Sequence, residues 1–253
     1  MRNNLSEKNI DKGFDLKKSD WTVKRIALIV VLTPLFALFM NAFVSIFIDI
    51  FIVNPTPVTS LKEMGERALF LLADLGAIIA LTRTYMYMVV PKYFTSMRVV
   101  RKNLSHKDLA ELLSGEVFIE YYLGEPENKK IIRASKQWIC VNGTFIPKSM
   151  ILGLKRRTPD LLSPNEDRYF TTINGKIIPL GRWGKESSAL MRQQLNEIMP
   201  DVDFSATFEH LISSGYGRDL KRWFNEAITG KEEFMKFVAT GVADQNRPSP
   251  GKY

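Results

Sequence analysis

The chain has 253 residues, 45% of them hydrophobic and 25% charged, with a formal net charge of +8 and a mean hydropathy of -0.08. This composition excludes a collagen-like chain, a disulfide scaffold and a wholly disordered polymer. The average conceals a segregation: residues 26–53 and 68–90 hold most of the apolar excess, and the remainder reads as a soluble domain.

Residues 1–25 form a basic N-terminal segment with seven Lys/Arg. Residues 26–53 follow, 28 positions with one ionisable group, Asp49. As a helix this run reaches roughly 42 Å, more than the ~30 Å hydrocarbon core, so it tilts, kinks or enters the headgroups. Pro34 is tolerable in lipid and supplies a kink. Asn54-Pro55-Thr56-Pro57 ends the helix, because proline disfavours the helical conformation in the residue before it. Ser60 and Glu63 have capping-box spacing and start a second helix outside the membrane. Its apolar part, residues 68–90, is 23 residues long and ends at Pro91. A cleaved signal peptide is the rival for the first run, but the run is too long and no small-x-small site follows it. The expectation is an α-helical two-span transmembrane hairpin over residues 26–91.

Basic residues set its direction. Lys92, Arg98, Arg101, Lys102 and Lys107 follow the second run, whereas the connection offers only Lys62 and Arg67. A multi-pass protein of the cell membrane is expected, with both termini cytoplasmic. Counted from that side, Asn41 lies 15 residues above Ile26 and Asp74 lies 16 below Val90, which places them about 22–24 Å deep. Arg83 is level with Thr33 and Pro34. Intramembrane polar groups are costly and face a partner or water, so Asn41, Asp74 and Arg83 are the candidate sites within the bilayer. Three readings stand. Asn41 bonds Asp74 while Arg83 snorkels inward; the groups contact another membrane protein or a second copy; or they pass an ion, which two helices alone cannot enclose.

Residues 92–115 are a basic juxtamembrane linker with a short helix over 105–113, capped by Ser105 with Asp108 three residues on. Strand patterns then run over 117–123, 131–133, 137–141, 144–152, 168–173 and 176–180. Asn142-Gly143 and Asn174-Gly175 between apolar runs are hairpin signals, because such turns need positive φ at both central residues. An amphipathic helix over 185–199 closes the region, with Leu190, Met191, Leu195 and Ile198 on one side and Pro200 as its stop. The expected fold is a cytoplasmic α+β domain, an antiparallel sheet with two Asn-Gly hairpins capped by a helix.

The run Trp138-Ile139-Cys140-Val141-Asn142-Gly143-Thr144-Phe145-Ile146-Pro147-Lys148, the strands over 169–180 and the helix ending at Met199-Pro200 resemble the small bacterial pleckstrin-homology-like domains appended to membrane helices. The resemblance covers residues 116–200, with six strand patterns where that family has seven. It implies a bent sheet capped by a helix and used for contact with proteins or a membrane surface.

Beyond it, residues 201–243 are a helical extension. Leu220, Trp223, Phe224, Ala227 and Ile228 make a stripe that either packs on the domain or meets a partner or membrane, since Lys221 and Arg222 flank Trp223. Residues 244–253 read as a disordered tail. The net charge divides into +3 for residues 1–25, -1 for 26–91 and +6 for 92–253. Lys155, Arg156 and Arg157 form the densest cluster. With Arg98, Arg101 and Lys102 they could hold the domain against anionic lipid headgroups, against the alternative of a solvated loop. The scatter of basic residues gives no expectation of nucleic-acid binding.

One cysteine, Cys140, and two histidines, His106 and His210, leave little for a disulfide, a zinc site or a Cys–His nucleophile. No phosphate-binding loop, H-E-x-x-H or G-x-S-x-G pattern occurs. No catalytic residue, metal or cofactor is therefore expected. The expected partners are the bilayer, anionic headgroups, and another membrane protein or a homo-oligomer through the transmembrane helices. The expected function is a non-enzymatic assembly or regulatory role. An accessory subunit of a larger transport or secretion complex is the alternative, and a membrane-bound enzyme the third reading.

Overall fold

The computed structural model describes residues 7–9, 15–49, 52, 61–124, 130–157, 166–213, 215–242 and 247–252. The proline-rich break at 54–57, the Ser60 cap, the turn residues 125–128, the loop at 159–165 and the tail residues 244–246 lie outside them. The chain divides into two units, one of residues 18–94 and one of residues 1–17 with 95–253. β1 (Glu7–Asn9) and α1 (Leu16–Asp20) precede the long helices.

Thr22 caps α2 (Val23–Ile48) by accepting from the Arg25 amide at 3.3 Å. The helix runs 26 residues through Pro34 and buries none of them. Among the described residues it is the one helix long and apolar enough to cross a membrane. α3 (Leu61–Val89) has 29 residues. Charged first turns, Asp74 and Arg83 interrupt its apolar run, so length and apolarity single out one crossing where two were expected.

The two helices pack antiparallel. Arg25 donates through Nε to the Met88 carbonyl at 3.3 Å and through Nη2 to the Tyr87 carbonyl at 3.2 Å. It thereby satisfies orphan carbonyls at the C-terminus of α3, where a cation also suits the helix dipole. Further along, Tyr85 stacks on Phe36 with ring centroids 4.6 Å apart, and its hydroxyl lies 3.2 Å from Thr33 Oγ1. Thr33 and Thr84 donate to the carbonyls of Ile29 and Ala80, each at 2.8 Å, so both hydroxyls are satisfied by their own helix.

The other unit is α+β with antiparallel sheets. α4 (His106–Ser114) carries the expected capping box: Ser105 accepts from the Asp108 amide, and Asp108 accepts from the Ser105 amide, both at 3.1 Å. The first sheet joins β1, β2 (Ile119–Leu123), β3 (Lys130–Ala134), β4 (Trp138–Val141) and β5 (Thr144–Pro147) in that order. The second joins β6 (Ile151–Arg157), β7 (Glu166–Thr172) and β8 (Ile177–Trp183).

The single strand expected over 144–152 is two strands. Pro147 cannot donate to the ladder, and the Lys148 amide makes one further bond in the β4–β5 register, to the Gln137 carbonyl at 2.8 Å. A 3₁₀ turn at Lys148–Met150 then passes the chain from one sheet to the other. Both Asn-Gly hairpins are present, but they differ. Asn142 and Gly143 have φ of 49° and 73°, as a two-residue turn requires. At the second, only Gly175 has positive φ, 77°. Asn174 instead spends its side chain, accepting from the Thr172 hydroxyl at 2.7 Å and donating to the Val99 carbonyl at 2.8 Å.

α5 (Lys185–Ile198) closes the strands, with Met191, Leu195 and Ile198 buried and the Gln194 side chain accepting from the Gly124 amide at 2.8 Å. α6 (Ala206–Ser213), α7 (Gly215–Ala227) and α8 (Lys231–Thr240) share its core. Phe118, Trp138, Phe145 and Phe170 of the strand region are continuous with Phe204, Phe224, Phe234 and Phe237 of the extension.

Candidate functional site

The intramembrane candidates separate once side chains are placed. The helix register comes from Arg25 against Tyr87 and Met88, and from Thr33 and Phe36 against Tyr85. It sets Asp74 opposite Phe43, Val44 and Phe47, about a turn beyond Asn41. No hydrogen bond joins Asn41 to Asp74 among the described residues, and Asn41 points outward, exposed. The first of the three readings, a hydrogen bond between Asn41 and Asp74, is therefore not seen among the described residues; Asp74 lies against Phe43, Val44 and Phe47 instead. Asp74 lines a groove of about 420 Å³ with walls of Phe43, Val44, Phe47, Leu72, Leu75 and Ile78. Arg83 is exposed, its guanidinium 5.8 Å from the centroid of the Tyr87 ring.

The basic candidates separate too. Three contacts gather one set. Asn174 holds the Val99 carbonyl, Lys102 Nζ donates to Asn225 Oδ1 at 3.3 Å, and the Lys221 stem crosses Gly175. Arg98, Lys102, Lys176 and Lys221 thus share one exposed face made of the 98–102 loop, the β7–β8 turn and α7. Arg101 is half-buried and engaged. Lys155 and Arg156 pair across the ladder with Tyr169 and Arg168 at the opposite end of β7. From Arg168 to Thr172, where the β7–β8 turn begins, is roughly 13 Å of strand. Of Arg157 only the backbone pairing, to Asp167, is described.

Trp223 is 7% exposed and meets the Phe237 ring edge-on at 6.5 Å. The α7 stripe therefore faces the core, and the polar side of the same helix carries Lys221 and Arg222 outward. Lys176, Lys221 and Asn225 were missed as members of a basic face. The Asn-Gly turn and the polar side of the α7 stripe were readable signals, but nothing local says that they meet.

A cleft of about 690 Å³ opens beside the end of α5, edged by Lys136, Lys148, Asp201, Asp203 and Arg247. Burial pushes the Lys148 ammonium below its ordinary range, and Nζ donates to the Ile198 carbonyl at 3.1 Å. Charges of both signs line this cleft, so it selects no single ligand chemistry. Cys140 is buried and forms no disulfide. Among the described residues no cluster of three His, Cys, Asp or Glu side chains could hold a metal. No family model, no curated protein and no solved structure matches the chain.

Proposed function

We propose that this chain is an integral membrane protein. α2 and α3 form a two-helix hairpin in the bilayer, with both termini cytoplasmic, and display a pleckstrin-homology-like interaction domain with a non-enzymatic assembly or regulatory role. The observation that carries the reading is α2, an apolar helix of 26 residues that buries no side chain in the protein. Bare apolar surface of that extent needs a lipid or protein cover. α3 adds to it: Leu69 and Leu72 are 72% and 70% exposed, and Phe70, Leu75 and Ile79 also face outward. Lipid covers such side chains without cost, and the self-satisfied Thr33 and Thr84 hydroxyls suit the same solvent. The excess of Lys/Arg before α2 and after α3 supports the orientation.

The four-strand run β2–β5, the three-strand run β6–β8 and the closing helix α5 support the pleckstrin-homology-like reading. They supply the seventh strand that the sequence patterns lacked. The alternative, an accessory subunit of a transport or secretion complex, is favoured by the groove at Asp74.

Accessibility of substituted cysteines tests the topology. In sealed inside-in vesicles, Lys62→Cys reacts with an impermeant maleimide and Lys176→Cys does not. Labelling of both from one side overturns the two-span reading, and release of the chain by alkaline carbonate overturns membrane integration altogether.

A further inference from the structure

We infer that the groove at Asp74 is a docking site for a transmembrane helix of a different protein that carries a basic side chain at that depth. The inference rests on the reading that α2 and α3 both lie in the bilayer. Asp74 is half-buried on a wall otherwise made of Phe43, Val44, Phe47, Leu72, Leu75 and Ile78. It has no hydrogen bond or ion pair among the described residues. An acidic side chain at this depth is costly unless it faces a partner or water. The groove is apolar and open to the side, so a helix can seat in it and place one cation against the carboxylate.

The chain does not supply that cation itself. Arg83 follows Asp74 by nine residues, two and a half turns, so it projects from the other side of α3 and sits about 14 Å away along the axis. Arg67 shares the Asp74 side but lies two turns nearer the loop, about 10 Å away along the axis, and is engaged elsewhere. A second copy does not supply it either. A two-fold axis along the membrane normal brings equal depths together, which sets Asp74 against Asp74 and leaves Arg83 at the wrong level. An acyl chain could fill the apolar walls but offers the carboxylate nothing. Shape and charge together describe a helix from another protein with a lysine or arginine in the half of the bilayer nearer the α2–α3 connection.

The test uses the full chain in phosphatidylcholine vesicles and two labelled transmembrane peptides. Both are Leu/Ala helices, one with a single arginine at the depth of Asp74 and the other with leucine there. Energy transfer to a dye on the protein reads association. The arginine peptide is expected to bind about tenfold more tightly than the leucine peptide. Asp74→Asn, which keeps the side-chain size, should reduce that preference, and Asp74→Leu should abolish it. Asn41→Leu should leave it intact. Equal binding of the two peptides by the embedded wild-type chain overturns the inference and leaves the membrane reading standing. A preference that survives Asp74→Leu overturns it as well. Extraction of the wild-type chain by alkaline carbonate overturns the membrane reading, and the inference with it.

Discussion

Arg168 on β7 donates through Nη1 to Glu209 on α6 at 3.1 Å, with the arginine side chain only 8% exposed. Arg192 on α5 reaches the same carboxylate oxygen at 2.6 Å. One acid thus ties the second sheet to the closing helix and to the first helix of the extension, and this joins the expected separate segments 116–200 and 201–243 into one folded body. Glu209→Leu removes the carboxylate that both arginines share in a largely buried place. A loss of about 3–5 kcal/mol is expected, the cost of breaking a buried pair from one side. Urea unfolding of the full chain in mild detergent, followed by tryptophan fluorescence, measures it.

Asp108 links acid sensitivity to the same body. Its hydrogen bond from Lys231, and then those from Ser105, hold its carboxyl down to about 2. An unfolded aspartate titrates near about 3.9. Between these values the unfolded chain binds a proton that the folded chain does not. The contribution of this contact is therefore whole above about pH 4 and is lost as the pH falls towards 2. Urea midpoints measured across that interval should fall less steeply for Asp108→Asn than for the wild type.

Gly175 has a φ of 77°, and Cδ of Lys221 lies 2.8 Å from the place where a β-carbon would stand. Gly175→Ala is expected to cost about 1–2 kcal/mol from the backbone conformation alone. The lysine stem must also move. In a Lys221→Ala background the steric part disappears and the conformational part persists, so a double-mutant cycle by urea unfolding separates them.

Trp223 and its flanking cations answer different questions. Trp223→Ala opens a cavity against Phe237 and is expected to cost about 3–5 kcal/mol. Lys221→Gln and Arg222→Gln are expected to stay within about 0.5 kcal/mol, since both are exposed. Equal effects of all three on thermal unfolding would contradict the placement of Trp223 in the core.

If the domain meets anionic headgroups, the face carrying Arg98, Lys102, Lys176 and Lys221 is expected to make the contact, each cation contributing about 1 kcal/mol near such a surface. Amide exchange of the full chain in nanodiscs should show the 174–176 turn more protected with anionic than with neutral lipid. The difference should vanish in Lys102→Gln/Lys176→Gln/Lys221→Gln and at high salt. Equal protection in both lipids argues for a solvated face.

The long-range arrangement explains what could be read without it. Local rules sufficed for the capping box at Ser105 and Asp108, the turn at Asn142-Gly143, the extent of α5 and the apolar character of α2. Each depends on residues within a few positions of one another or on simple periodicity. Composition alone also made the chain a mixture of lipid-compatible and water-compatible parts. The break at Lys148–Met150 was hidden, because the apolar run reads straight through it while the chain leaves one sheet there and enters the other. The surroundings of Asp74 were hidden as well: counting residues gives a depth, whereas only the packed helices show that Phe43, Val44 and Phe47 face it. Charge density marked Lys155, Arg156 and Arg157, yet only the pairing of β6 with β7 shows that Lys155 and Arg156 stand across from Tyr169 and Arg168. Patterns of spacing determine which face of an element is apolar, and packing between distant segments decides which polar groups meet.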